Sequence, residues 1–298
     1  MQNVPRYTRP PFYKSRRSKA HSERRRKNNA VRQGDTEMSE AYEICIPSYK
    51  RAKTQRTLDY LEKIGAPKEH ITLSVQTLDD LNKYREAGVA ERVNEIIYRE
   101  GECVADNRNT LLDHFPAGKK LVLMEDDVDK VQALTIERVT GKKKLRTIET
   151  WAELRQVIEK GFSAASLYGT VAFGLNLVTN PFYMQAGCHR IKLCGFGLYG
   201  LLNTALRFDR TFTLYDDPEF EARVIKKYGS HPVLDGYTAI NTSLKANFTL
   251  EGGCHELWSS QSNLRNDMLR LMKAKHGDIF NIDPSKDNCI TLKKGKGR

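Results

Sequence analysis

Four short apolar runs alternate with three amphipathic stretches between residues 41 and 124, and this pattern constrains the fold more than any other feature of the chain. The runs YEICIPSY (42–49), HITLSVQ (70–76), NEIIYRE (94–100) and KKLVLM (119–124) have the length and texture of buried strands. Between them lie 51–65, with Leu58, Leu61 and Ile64 on one helical face and Gly65 as a stop, then 78–88 and 104–115. Strand followed by helix through short connections predicts an α/β fold. Its mostly parallel central sheet would carry helices on both faces. Ligands of such sheets collect at the carboxyl ends of the strands.

The fourth run ends in acid: Glu125, Asp126, Asp127 and Asp129 follow Met124 within five residues. Carboxylates this close resist joint ionisation unless a cation intervenes. Oxygen ligands at a strand end suit a hard divalent ion, Mg²⁺ or Mn²⁺, which takes one or two carboxylates and completes its shell with water and phosphate oxygens. In an extended segment Asp127 and Asp129 point the same way and Asp126 oppositely. That alternation predicts one ion shared by Asp127 and Asp129, with Asp126 left to bond a sugar or ribose hydroxyl.

Further along, 131–148 predicts a hairpin turning at Thr140-Gly141-Lys142. A helix is expected over 150–167, a strand over 169–178, a helix over 216–229 with Pro218 in its first turn, and a last amphipathic helix over 261–277. No internal repeat is present. Six scattered cysteines without C-x-x-C spacing fit reduced thiols, and the dipeptides Cys188-His189 and Cys254-His255 lack the paired spacing of a zinc site. No apolar run reaches membrane-spanning length, and the first 30 residues are polar and basic rather than a secretory leader. The expected location is the cytoplasm, the host's for a viral chain, with no membrane partner and no obligate protein partner.

The net charge of +12 is concentrated at the ends. Residues 1–40 carry 11 Lys/Arg against 4 Asp/Glu, or +7; residues 291–298 add +4, which leaves +1 for 41–290. Three parts follow: a disordered basic tail over 1–40, a catalytic-sized domain over 41–280, and a basic tail over 281–298. Arg24, Arg25 and Arg26 in the first tail, and Lys142, Lys143 and Lys144 in the hairpin, are candidate contacts to nucleic-acid phosphates.

Taken in order, the motifs resemble the GT-A class of nucleotide-sugar glycosyltransferases, over about residues 41 to 260. Asp127-Val128-Asp129 matches the D-x-D metal motif of that class. IPSYKR (46–51) is similar to its first strand and donor loop, which implies donor contacts by Pro47, Ser48 and Arg51. DNRN (106–109) resembles a helix start that would bring Arg108 and Asn109 to the donor, alongside Asp126 and Asp127. GFGLYGLLNT (195–204) looks like a glycine-rich acceptor loop. The segment 207–229 is similar to the one carrying a catalytic Glu-Asp pair, here Asp216-Asp217. His255, in EGGCHELW, would complete the metal shell with Asp127 and Asp129.

The resemblance implies an enzyme that moves a sugar from a nucleotide-sugar, expected to be a UDP-sugar, with Mn²⁺ or Mg²⁺ as cofactor. An inverting member needs a carboxylate base facing the departing diphosphate, and Asp217 or Asp216 would be that base. With the basic tails, the pattern resembles bacteriophage enzymes that glycosylate 5-hydroxymethylpyrimidines in DNA. The alternatives are a polysaccharide or protein acceptor, or a nucleic-acid-binding protein without turnover on the same fold.

Overall fold

The computed structural model of the chain describes residues 42–241, 262–285 and 289–293. Its first half follows the alternation read from the sequence. β1 (Tyr42–Pro47), α1 (Arg56–Lys63), β2 (Ile71–Val75), α2 (Leu78–Glu86), β3 (Glu95–Tyr98), α3 (Val104–His114) and β4 (Lys120–Leu123) succeed one another. A two-stranded arm follows, β5 (Val128–Ile136) and β6 (Lys143–Thr147), and then α4 (Trp151–Leu167). The second half holds β7 (Ala172–Asn176), β8 (Cys188–His189), β9 (Cys194–Leu202), α5 (Asp216–Tyr228), β10 (Val233–Leu234) and β11 (Tyr237–Asn241). The described chain ends with α6 (Ser262–His276), β12 (Phe280–Ile282) and β13 (Ile290–Leu292).

Eight strands form the central sheet in the order β3-β2-β1-β4-β9-β7-β10-β8. β9 runs antiparallel to both β4 and β7, and β8 antiparallel to β10; the other six point the same way, so the sheet is mostly parallel. Alternate residues of each strand feed two cores. Ile44, Ile46 and Val122 pack with Leu58 and Leu61 of α1 and with Val157 and Ile158 of α4. Cys45, Leu121 and Leu123 pack with Leu111 and Leu112 of α3 and with Phe220 and Val224 of α5. Burial on both faces explains why these strands read as continuous apolar runs. Each such side chain removed from water contributes about 1.5–3 kcal/mol.

Local signals place the helix ends. The Thr77 hydroxyl accepts from the Asp80 amide at 3.0 Å to start α2, and the Thr150 hydroxyl accepts from the Glu153 amide at 3.3 Å to start α4. Gly229, at φ 71°, closes α5 in the left-handed conformation.

Three expectations change. GFGLYGLLNT is not a loop: Cys194–Leu202 is a central strand between β4 and β7. Its glycines admit close neighbours. A Cβ at Gly200 would lie 1.8 Å from the Phe173 ring, and one at Gly197 would lie 2.7 Å from both Ala239 Cβ and Asn241 Oδ1. Second, Asp126 and Asp127 occupy a turn before β5 rather than an extended segment, so strand alternation does not govern where they point. Third, the chain past residue 280 continues the fold at first: β12 pairs with β13, whose Ile290 and Leu292 pack against a core of Phe212, Ile225, Met272 and Phe280.

The second small sheet, β11-β5-β6, is the predicted hairpin joined by β11. The five cysteines among the described residues are free thiols, and no described helix is long and apolar enough to cross a membrane.

Candidate active site

Six carboxylates and three guanidiniums meet at the carboxyl edge of β1 and β4. The backbone that carries the acids is held first. The Thr57 hydroxyl, at the start of α1, donates to the Glu125 carbonyl and accepts from the Val128 amide at 3.0 Å, so one side chain spans the turn holding Asp126 and Asp127. From the end of β1, Ser48 Oγ donates to Asp126 Oδ2 at 2.5 Å. The Tyr84 hydroxyl sits 2.6 Å from Ser48 Oγ and accepts from the Arg51 amide at 3.0 Å. Asn107 of α3 donates to the Ser48 carbonyl at 2.9 Å.

Arg51 then divides its charge between two acids: Nη1 lies 2.5 Å from Asp126 Oδ1 and 3.4 Å from Asp127 Oδ2. Asp129 pairs with Arg56 at 2.8 Å. The structure thus brings Asp126 and Asp127 together on one guanidinium and gives Asp129 another, where alternation had grouped Asp127 with Asp129. Asn241, at the end of β11, donates through Nδ2 to Glu125 Oε2 at 2.9 Å and to Asp127 Oδ1 at 2.8 Å.

Across the edge, α5 presents Asp216 and Asp217 from its first turn. Arg108, only 3% exposed, bonds both of them and reaches Glu125 Oε1 at 3.1 Å through its other amino group. The guanidinium lies over the rings of Phe196 (4.7 Å) and Phe208 (5.2 Å), which fix it from beneath. Asp217 keeps 29% of its side chain exposed against 11% for Asp216, so it is the more accessible carboxylate of the pair. Two non-glycine residues with positive φ flank this constellation: Lys50 (φ 54°) precedes Arg51, and Tyr215 (φ 63°) precedes Asp216. Such conformations cost on the order of 1 kcal/mol each and concentrate where a backbone is shaped for function.

The electrostatics are unbalanced. With all groups ionised, six acids (Glu125, Asp126, Asp127, Asp129, Asp216, Asp217) against Arg51, Arg56 and Arg108 leave a charge of −3. Burial, then repulsion from Asp127 and Asp217, pushes Glu125 up to about 8. Burial also pushes Asp216 up to about 7, although Arg108 pulls the other way. A divalent cation relieves such an excess, and the all-oxygen donor set has the hardness that Mg²⁺ or Mn²⁺ requires. The Nε atoms of Arg51 and Arg56 are buried donors without a partner among the described residues, which suits an anionic ligand beside the acids.

The remaining candidates fall as follows. Pro47 closes β1 beside Ser48. Asn109 exchanges both ends of its amide with the Phe208 backbone, at 2.9 and 2.7 Å, and so fastens the chain before α5. Lys142, Lys143 and Lys144 lie on the β5–β6 arm, away from the acids. His255 and Arg24, Arg25 and Arg26 lie outside the described residues. Among the described residues, the one trio of metal-ligand types whose atoms converge within 4.8 Å is Cys194, at the start of β9, with Glu221 and His231. These three are already satisfied: the Cys194 amide and thiol donate to Glu221, and His231 bonds the Lys192 carbonyl and the Tyr199 hydroxyl.

Sequence reasoning missed Thr57, Tyr84, Phe196, Phe208 and Asn241. Phe196 lies in the run expected to be an acceptor loop, and no pattern marks Asn241, whose strand the sequence did not reveal.

No family model matches the sequence, and no curated protein matches it. Among solved structures the chain is similar to TarS of S. aureus, at 12% identity and a TM-score of 0.44 over 78% of this chain. It spans only 39% of that protein's length, and 59% of its 1–349 fragment. A mannosyltransferase of Pyrobaculum calidifontis, solved with GDP-Man and Mn²⁺, matches at 12% identity and a TM-score of 0.42 over 78% of this chain and 75% of its own. Glucosyl-3-phosphoglycerate synthase of Mycobacterium tuberculosis matches at 10% identity and a TM-score of 0.46 over 80% of each chain.

Proposed function

We propose that the chain is a metal-dependent glycosyltransferase that moves a sugar from a nucleotide-sugar to a hydroxyl of its acceptor. One observation carries this reading: a metal-suited acid turn and a helix-borne Asp216-Asp217 pair face each other at the sheet edge, joined through Arg108. Asp127, with Asp129 released from its Arg56 pair, would hold Mn²⁺ or Mg²⁺ against the donor diphosphate, where the ion would supply Lewis-acid stabilisation of the leaving group. Arg51 and Arg56 offer Nε donors to the same diphosphate. Asp126, held by Ser48 and Arg51, would accept from a ribose or sugar hydroxyl. Asp217 takes the acceptor proton as the hydroxyl oxygen bonds to the anomeric carbon, and the carbon–phosphate-oxygen bond breaks with its electrons on the diphosphate.

For the acceptor, the reading is DNA bearing 5-hydroxymethylpyrimidines. Its support is the charge distribution: +11 on residues 1–40 and 291–298 together, with three consecutive lysines on the β5–β6 arm. Sequence-independent phosphate contacts of this kind concentrate an enzyme on its polymer. The test has two stages. Thermal denaturation with a panel of nucleotide-sugars, each with and without Mn²⁺, should show a metal-dependent stabilisation by at least one donor; none with any pair rejects the transferase. Mass spectrometry of nucleosides from hydroxymethylated DNA incubated with that donor should then show a hexose or pentose adduct. An adduct only on polysaccharide or protein would replace the acceptor and keep the chemistry.

A further inference from the structure

The turn after β7, packed against the β5–β6 arm, carries an aromatic pair that a water-facing surface does not need. Phe182 and Tyr183 are 73% and 66% exposed, and their rings meet edge to face with centroids 5.1 Å apart. They are held rigidly. Asn180 caps their single 3-10 turn by accepting from the Phe182 amide at 3.0 Å. Met184, fully buried, anchors the next residue, and Lys143 Nζ donates to the Phe182 carbonyl (3.3 Å) and the Met184 carbonyl (2.7 Å). One lysine of the run is thereby spent in fixing the turn to the arm. Its neighbours Lys142 and Lys144 are exposed. Residues 137–146 hold five basic side chains and one acid, a local charge of +4.

This turn follows β7, which points the same way as β4, so it leaves the sheet at the edge that carries the acids. Along the arm it stands some seven residues from Asp129, about 23 Å at strand spacing. It is too distant to touch a reacting sugar and well placed to hold the polymer on which the acceptor is carried.

We propose that Phe182 and Tyr183, beside the basic β5–β6 arm, form a stacking platform for unpaired nucleotides of a single-stranded nucleic-acid segment. Exposed rings preset by a turn lose little freedom when a base stacks on them, and every base offers a face. The rings are accessible to bases only where the strand is unpaired, while the lysines meet its phosphates. The inference rests on the nucleic-acid reading of the acceptor given above.

The experiment measures, with the full chain, fluorescence anisotropy of a labelled single-stranded oligonucleotide, of its abasic counterpart and of the matching duplex across a salt series. The wild type should prefer the base-bearing single strand to the abasic one. Phe182→Ala with Tyr183→Ala should weaken binding of the base-bearing strand about tenfold or more and erase that preference, with the salt slope retained. Lys142→Ala with Lys144→Ala should lower the slope by about 0.7 for each phosphate no longer neutralised and keep the preference. Metal-dependent stabilisation by the nucleotide-sugar should be the same in every variant, which verifies the fold and isolates the platform. An unchanged preference in the aromatic variant overturns the proposal, as does tighter capture of anionic vesicles or neutral polysaccharide by the same rings. Failure of the wild type to bind any nucleic acid, with donor binding intact, overturns the acceptor reading itself.

Discussion

At the scale of single residues, Arg108 decides how the site behaves. One guanidinium serves Glu125, Asp216 and Asp217, so two of the three negative charges lack a matching cation within that group. Asp216 shows the consequence, since burial raises it to about 7. Asp216 shares Arg108 with Asp217, so ionisation of Asp216 through about 7 should appear as a limb of the pH–turnover profile. Asp217→Asn should abolish turnover with donor binding intact, whereas Asp216→Asn should retain part of it and remove that limb. The same shift governs stability. A carboxyl raised on folding contributes stability that is complete below its unfolded value near 4 and is lost as pH rises through about 7. Asp216→Asn should therefore raise the melting midpoint at pH 8 and change it little at pH 5. A midpoint lowered equally at both would show that the pair with Arg108 outweighs the burial of charge.

At the scale of elements, β9 shows where sequence and structure part. Short apolar runs announced β1, β2 and β4, because both faces of those strands are covered. The acid motif announced itself too, because carboxylates crowded at a strand end need a reason. β9 gave the opposite impression, since Gly195, Gly197 and Gly200 look like loop punctuation until their neighbours are known. Gly200 yields to the Phe173 ring and Gly197 to Asn241, and neighbours so distant in sequence leave no local trace. Nor could alternation place Asp126 and Asp127, because the Thr57 side chain from another element sets their turn. The two glycines should respond differently to alanine. Gly200→Ala drives a methyl into a fully buried ring and should cost about 1–3 kcal/mol in denaturant unfolding. Gly197→Ala meets the amide that holds Glu125 and Asp127, so its larger effect should be weaker metal-dependent donor binding, read as a smaller thermal shift. Equal loss of stability in both, with donor binding untouched, would mean that Asn241 does not organise the acids.

At the scale of the whole molecule, charge and chemistry are separated along the sequence. Residues 41–290 carry a net +1, although an acid-rich site lies within them, and the ends carry the rest of the +12. On the proposed DNA reading, a near-neutral region around the site would not trap a polyanion there, while basic ends would raise its local concentration through screened, sequence-blind contacts. Deleting residues 1–40 takes 11 basic and 4 acidic residues away and brings the net charge from +12 to +5. Affinity for duplex DNA should then fall, and the slope of log affinity against log salt should flatten by about 0.9 for each phosphate that the tail had neutralised. Donor-dependent stabilisation should persist, because the residues that would hold the nucleotide-sugar lie at the ends of β1 and β4. A slope that survives the deletion would move the phosphate contacts onto the β5–β6 arm and the C-terminal lysines, and the N-terminal arginines would then have no part in holding DNA.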